Sequence, residues 1–333
     1  MSHSLTLPYP ARPQALLASL RKNPVGRHAI NKAFRWLQGI GISIVPRHFY
    51  WPVPDVNELA RRDWPVLVDA PGVNFNFAQQ FDFLDACKQY QAELNFPRQA
   101  GEPGHVYHYN NGLFESVDAE VAYLMVRQHR PQRIIEVGCG FSTRLLAAAA
   151  ERNRCENGVW CNLTCIDPHP DAVLLGGIPG VRSLWPEQVQ KVTPALFDTL
   201  QANDILFLDT SHVVATGSDV VHEVLNILPR LQPGVLVHIH DIFLPADYPR
   251  AMVVENLVFW SEQYIIQAFL SMNEHYRVEW GSSSMQLFCP EVLLDAFPSW
   301  HDSYAQMPKR VRTFIPTADG RRVWPSSFWI RRT

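Results

Sequence analysis

The sequence predicts an α/β protein: a doubly wound, mostly parallel sheet preceded by an N-terminal helical and irregular extension. Three observations predict it. From Ser116 onward, short apolar runs alternate with stretches of helical periodicity, the rhythm of strands joined by crossover helices. The runs are nearly continuous rather than alternating, as in Ile205-Leu206-Phe207-Leu208, which suits a strand buried on both faces. Each run also ends in a glycine, an acid or a histidine, and in such sheets ligands lie beyond the carboxyl ends of the strands.

Residues 1–110 are rich in proline and aromatic side chains and weak in periodicity. Arg27–Gln38 has a helical pattern with Ile30, Ala33, Phe34 and Leu37 on one face. Phe75–Tyr90 predicts a second helix with Phe77, Phe81, Leu84 and Cys87 turned inward. The prolines of Val45–Pro54 require an extended or turning chain. This region reads as an accessory layer or lid on a domain spanning 111–333.

In that domain Asp118–Gln128 is an amphipathic helix stopped by Pro131. Arg133–Val137 is the first strand, and Ser142 is placed as the cap of a helix running through Leu145–Glu151. Leu163–Ile166 and Ile205–Leu208 are further strands. Helix Asp219–Leu228 leads through Pro233-Gly234 into strand Val235–Ile239. Arg250–Leu270 predicts one long helix, and Tyr276–Trp280 and Ser327–Ile330 the last strands.

The chain of 333 residues can bury a sizeable core. A net charge of -3 and a pI near 6.5 argue against a nucleic-acid partner. No apolar run reaches the roughly 18–20 residues of a bilayer span, so no membrane partner is expected. Met1–Leu20 holds Pro8, Pro10 and Pro13 and lacks a basic segment leading into an apolar one, so it does not read as a secretory signal. The six cysteines are scattered, which suits reduced thiols and a cytoplasmic location. Cys155, Cys161 and Cys165 match no common zinc spacing. A small-molecule partner is the expectation, with a homo-oligomer left open.

Glu136-Val137-Gly138-Cys139-Gly140-Phe141-Ser142-Thr143 joins the first strand to a helix, where glycines allow a tight turn and close approach of a ligand. A dinucleotide fingerprint would want a third glycine where Thr143 stands; a nucleoside ligand without phosphate does not need it. Glu136 fits a site receiving a cationic amino-acid ligand, and Asp167, ending the next strand, can accept from both ribose hydroxyls. Taken singly, the glycines could merely turn the chain and Asp167 cap the next element. On successive strand ends they point to one nucleoside site.

These segments resemble motifs I and II of class I S-adenosylmethionine (SAM) dependent methyltransferases. Asn203–His212 (NDILFLDTSH) and Pro233–Phe243 (PGVLVHIHDIF) are similar to bacterial proteins of the methyltransferase-24 type. The likeness extends to Tyr109-Asn110-Asn111-Gly112 and to Tyr264–Leu270, at least half of the chain. It implies a Rossmann-like seven-stranded methyltransferase sheet, SAM as cofactor, and Glu136, Gly138, Cys139, Gly140, Ser142, Thr143, Asp167 and Asp209 as its binding residues.

Asp209-x-x-His212 and His240-Asp241 also resemble metal-dependent O-methyltransferases of the catechol and caffeoyl-CoA types, and more closely those of the macrolide-sugar type. Carried over position by position, Asp209, His240 and Asp241 would hold a divalent metal (Mg, Mn or Fe) and His212 would be the general base. His240 stands where an acid is usual, and imidazole suits Mn, Fe, Ni or Zn better than Mg. The chemistry implied is methylation of a hydroxyl, which is a poor nucleophile while it keeps its proton; a metal lowers its pKa and a histidine accepts the proton. A metal-independent N- or O-methyltransferase, a non-methylating, hydroxylase-like metal enzyme and a non-catalytic SAM-binding protein stay open. So do plainer readings: Asp209 as a loop cap, His212 at a helix start, His240 in the core. His238-x-His240-Asp241 could suggest a two-histidine iron site, but successive ligands on one strand do not easily reach one face of an ion. Trp51, Tyr107, Tyr109, Phe114 and Tyr248 are candidates for an acceptor pocket, though such aromatics more often fill the core.

Overall fold

The computed structural model describes residues 24–45, 52–64, 70–300, 317–318, 321–322 and 325–333. Trp51 and most of the Val45–Pro54 stretch lie outside the described residues. Two compact units divide between Arg62 and Asp63. The first contains α1 (Pro24–Gly39) and α2 (Val56–Arg61); Asp55 caps α2 by accepting from the Asn57 and Glu58 amides. On α1, Ile30, Phe34 and Leu37 are half-buried and Ala33 is exposed.

The second unit carries α3 (Phe77–Cys87), α4 (Asp118–His129), β1 (Arg133–Val137), α5 (Phe141–Asn157), β2 (Asn162–Ile166), β3 (Val181–Trp185), β4 (Ile205–Leu208), β5 (Leu236–Ile239), α6 (Glu262–Leu270), β6 (Tyr276–Gly281) and β7 (Phe328–Arg332). The sheet is seven-stranded in the order β3-β2-β1-β4-β5-β7-β6. β1 to β5 are mutually parallel, and β7 is antiparallel to both of its neighbours. The direction of winding reverses between β1 and β4, which is where such a sheet opens a crevice.

Each strand feeds both faces because successive side chains point oppositely. Ile134 packs in a core with Leu124 of α4 and Leu145 and Leu146 of α5. Ile135 and Val137 enter the other core, with Leu206, Leu208, Val237, Ile227 and Ile266. Phe83, Cys87, Tyr90, Tyr107 and Tyr109 join the first of these cores, so residues 70–110 pack as part of the sheet domain.

Several elements differ from the sequence reading. On α3 the inward face is Gln80, Phe83 and Cys87, and Phe81 is exposed. Phenylalanines at 75, 77, 81 and 83 offer two possible faces, and Gln80 decides between them by donating to the Phe75 carbonyl and accepting from the Gly281 amide. Ser142 is not the cap of α5. Gly140 occupies that position, and its amide donates to Thr143 Oγ1 at 3.0 Å. The expected helix Arg250–Leu270 breaks into a π-type turn (Ala251–Glu255), an irregular stretch and α6. The expected helix Asp219–Leu228 tightens and loosens similarly, with a π-type turn at Glu223–Ile227. β3, half-buried at the sheet edge, carries little apolar signal and was not expected.

All six cysteines are free thiols. Among the described residues no helix is long and apolar enough to cross a membrane.

Candidate active site

The ends of β1, β2 and β4 line one crevice of about 360 Å³, with Val137, Gly138, Asp167, Gln188, Asp209 and Thr210 in its wall. That volume falls within the range of small-molecule sites. Gly138 has φ +79°, and a Cβ there would lie 1.7 Å from the Asp209 carbonyl oxygen. The β1 turn therefore sits directly on the end of β4, which only glycine permits. A Cβ on Gly140 would meet nothing within 4 Å, so that backbone is open to a ligand. Asp167 is fixed by the turn after β1 and by its own loop: Oδ2 accepts from the Cys139 amide at 2.8 Å and Oδ1 from the His169 amide at 2.6 Å. Each oxygen keeps acceptor capacity toward the crevice.

Glu136, Ser142 and Thr143, expected among the cofactor-binding residues, do not line this crevice. All three are buried, Glu136 completely. Ser142 Oγ donates to Glu136 Oε1 at 2.6 Å. Burial pushes the Glu136 carboxyl up to about 8, against the opposing hydrogen bonds from Ser142 and Thr143. These residues build the turn from β1 into α5; an enclosed carboxyl bonded to Ser142 has no surface for a cationic ligand.

Beyond Asp209 lies a polar cluster. His212 Nε2 is 3.5 Å from Asp209 Oδ1 and 3.4 Å from Asp241 Oδ2. His240 Nδ1 is 3.6 Å from Asp209 Oδ1 and 3.7 Å from Asp241 Oδ2. Four side chains from the ends of β4 and β5 thus face one point. His212 (φ +59°) and Asp241 (φ +56°) both take the left-handed conformation, at a cost on the order of 1–3 kcal/mol each that surrounding contacts must offset. Asp241 Oδ1 accepts from Ser326 Oγ at 2.9 Å. The His212 carbonyl accepts from the Ser261 and Glu262 amides at 2.9 and 3.1 Å.

Burial alone would lower the pKa of both imidazoles. For His212 the hydrogen bonds with Asp209 and Glu262 and the charge of Asp241 outweigh it; for His240 the charges of Asp241 and Asp209 do. Both are held well above the ordinary histidine value. Burial would raise Asp209, but His240 and His212 hold it far below the carboxylate range.

Residues 135–242 match the family Methyltransf_24, described as a methyltransferase domain. An uncharacterised protein of Archaeoglobus fulgidus is 30% identical over 177 residues, covering 50% of this chain and 77% of that one. The chain belongs to the methyltransferase-24 family. SAM is accordingly the methyl donor expected of it. A crystallised protein of Thermobifida fusca, described as a candidate methyltransferase, aligns over 79% of this chain and 96% of its own, with 11% identity and a TM-score of 0.33.

In this methyltransferase the crevice at the ends of β1, β2 and β4 and the polar cluster share Asp209. The donor set of the cluster fits a divalent cation. Asp209, His240 and Asp241 each offer one ligand atom, all within 4.8 Å of one another. Gaps of 3.6–3.7 Å between His240 Nδ1 and the two carboxylates are too long for hydrogen bonds but can accommodate an ion with bonds of about 2.1 Å. His238 is outside this group. It is buried, stacks on Phe207 with centroids 3.7 Å apart, and meets Ser327 Oγ at 2.8 Å through Nε2.

Reading the sequence missed Asp118, Glu262 and Ser326. The Asp118 carboxylate accepts from the Ser326 and Ser327 amides at 2.8 and 2.9 Å and lies 3.5 Å from His240 Nε2. Glu262 Oε2 is 2.8 Å from His212 Nδ1. No spacing rule links these residues to the motifs; acidity within apolar surroundings could have flagged Asp118 and Glu262, and nothing local marks Ser326. The aromatic candidates fill the core. Tyr107, Tyr109, Phe114 and Tyr248 are all buried, Tyr107 donating to the Phe114 carbonyl and Tyr109 to Glu120. Trp260, half-buried, instead stands beside the cluster with its ring 4.4 Å from that of His212.

Proposed function

We propose that the protein is a SAM-dependent methyltransferase that transfers a methyl group to a hydroxyl of a small molecule. In this reading a divalent cation is held by Asp209, His240 and Asp241, and His212 is the general base. The observation that carries it is the convergence of these four side chains beside the crevice lined by Gly138 and Asp167.

SAM, when bound, supplies an electrophilic methyl on a sulfonium centre. Asp167 accepts from the ribose hydroxyls, and the backbone at Gly138–Gly140 allows close approach of the nucleoside. A bound dication supplies Lewis acidity, lowering the pKa of the acceptor hydroxyl. Two carboxylates and one neutral imidazole suit its charge. The same carboxylates hold His212 and His240 protonated when no cation is present, so cation and protons compete for the cluster. With the carboxylate charge neutralised, His212 Nε2 can take the hydroxyl proton, a contribution of roughly 10²–10⁴-fold. A small-molecule acceptor agrees with the net charge of -3.

The test is S-adenosylhomocysteine formation by the full chain with a panel of hydroxylated acceptors, after chelation and after restoring Mg²⁺, Mn²⁺ or Fe²⁺. Chelation and Asp241→Asn should both abolish turnover, and His212→Ala should lower it roughly 10²–10⁴-fold while SAM still binds. Activity that survives chelation and Asp209→Ala would establish a metal-independent transfer instead.

A further inference from the structure

His212 is gripped from two sides by the start of α6. Its carbonyl accepts from the Ser261 and Glu262 amides, and its ring Nδ1 lies 2.8 Å from Glu262 Oε2. Ser261 Oγ accepts from the Val214 amide at 2.8 Å, tying down the chain two residues further on. The grip exists because the chain breaks before α6, leaving the Ser261 and Glu262 amides without helical carbonyl partners. A ring clamped in this way cannot turn, and its other nitrogen, Nε2, points at Asp209 and Asp241.

We propose that Glu262 is a positioning residue for the transfer: it accepts the Nδ1 proton of His212 and so fixes the neutral ring in the tautomer whose Nε2 lone pair faces the acceptor hydroxyl. The inference rests on His212 being the base. A neutral imidazole carries one proton, and a carboxylate on Nδ1 favours keeping it there. Nε2 is then the free acceptor. As the hydroxyl oxygen takes the methyl group, the S–CH3 bond of the sulfonium donor breaks, its electron pair stays on sulfur and S-adenosylhomocysteine leaves. The hydroxyl proton would move to Nε2, and the resulting imidazolium is flanked by Glu262 on the far side. Glu262 keeps its own protonation state throughout; it orients the ring and stabilises its positive charge.

Glu262 is buried, bonded to His212 and within electrostatic reach of Glu223 and the cluster acids. A purely structural role would therefore also make its loss costly, so the test needs readouts that stability alone does not move. The first is ¹⁵N-edited proton NMR of histidine-labelled full chain, with His212→Asn to assign the signal. Wild type should show a slowly exchanging, low-field Nδ1–H on His212, and Glu262→Gln should lose or strongly shift it while the other histidine signals stay. The second is kinetic. Glu262→Gln should lower kcat by roughly 10²–10⁴-fold with KM for SAM unchanged, as expected when a base is left in the wrong tautomer. Glu262→Gln combined with His212→Ala should cost no more than His212→Ala alone, because residues acting as a unit are not additive. Glu262→Asp, which restores the carboxylate, should recover part of the loss.

A wild-type protein without the protected Nδ1–H, or losses that add in the double variant, would overturn the proposal. Full activity in His212→Ala would instead remove the base assignment, and the NMR signal would still report whether Glu262 holds the ring. The two failures are thereby distinguishable.

Discussion

Gly138 and Gly140 flank one residue of the same turn, and the structure assigns them opposite duties. Alanine at 138 must adopt φ +79°, costing about 1–2 kcal/mol. Its Cβ would also sit 1.7 Å from the Asp209 carbonyl oxygen and 2.7 Å from the carbonyl carbon. Relieving this contact means parting the β1 turn from the end of β4, at an overpacking cost of about 1–3 kcal/mol. The parting also strains the bond from the Asp209 amide to the Val137 carbonyl, now 2.9 Å, worth about 1 kcal/mol. The total, about 3–6 kcal/mol, should lower the Tm of Gly138→Ala by at least about 6 °C at the roughly 2–4 °C per kcal/mol of a domain this size. Gly140→Ala places its Cβ in open space and should cost less than about 1 kcal/mol, the difference between glycine and alanine at a helix cap. If SAM rides over that backbone, the same methyl group should weaken S-adenosylhomocysteine binding by about tenfold or more. Thermal melts and titration calorimetry on both variants separate the two effects. Wild-type stability in Gly138→Ala would mean that the β1 and β4 ends are not packed as described. Wild-type affinity in Gly140→Ala would remove the ligand from this turn.

Three further outcomes are expected. Asp167→Ala should weaken S-adenosylhomocysteine binding by roughly 10²-fold, two charge-assisted hydrogen bonds being lost, and an unchanged Kd in calorimetry would detach Asp167 from the nucleoside. Glu136, raised from 4.5 to about 8 in the fold, favours the folded state fully below pH about 4.5, and this contribution is lost as pH rises through 8; it amounts to as much as about 5 kcal/mol. Urea melts of Glu136→Gln should accordingly lose less stability than wild type between pH 5 and 8.5, and parallel curves would contradict the burial assigned to that carboxyl. Asp118→Ala strands the Ser326 and Ser327 amides in a buried site and should destabilise the protein by about 2–5 kcal/mol in the same assay, whereas a neutral outcome would mean that the segment entering β7 is not held there.

The sequence made β1, β2, β4 and β5 legible because each is a largely apolar run buried in the sheet, and the glycine, acid or histidine after each run marked the carboxyl edge of the sheet. β3 escaped because a half-buried edge strand, with Arg182 and Ser183 among its apolar residues, carries no such run. The break before α6 escaped for a different reason. Residues 250–270 keep helical periodicity, and what interrupts them is the partner waiting at His212, which no local pattern reveals. The site divides along the same line. Asp209, His212, His240 and Asp241 stand within four residues of strand ends and could be read. Asp118, Glu262 and Ser326 come from elements up to about 200 residues apart and could not.

That division has a physical consequence for how the site is assembled. His212 and Asp241 both occupy the left-handed region, and neither is held there by its own loop alone. His212 depends on Ser261 and Glu262, and Asp241 on Ser326, just before β7. β7 is the last strand in the chain, yet it inserts between β5 and β6. On entering, it satisfies Asp118 through the Ser326 and Ser327 amides, His238 through Ser327 Oγ, and Asp241 through Ser326 Oγ. The backbone strain at Asp241 is thus offset by a contact from the segment entering β7, and that at His212 by the start of α6, so a correctly spaced motif is necessary for the site but does not by itself build it.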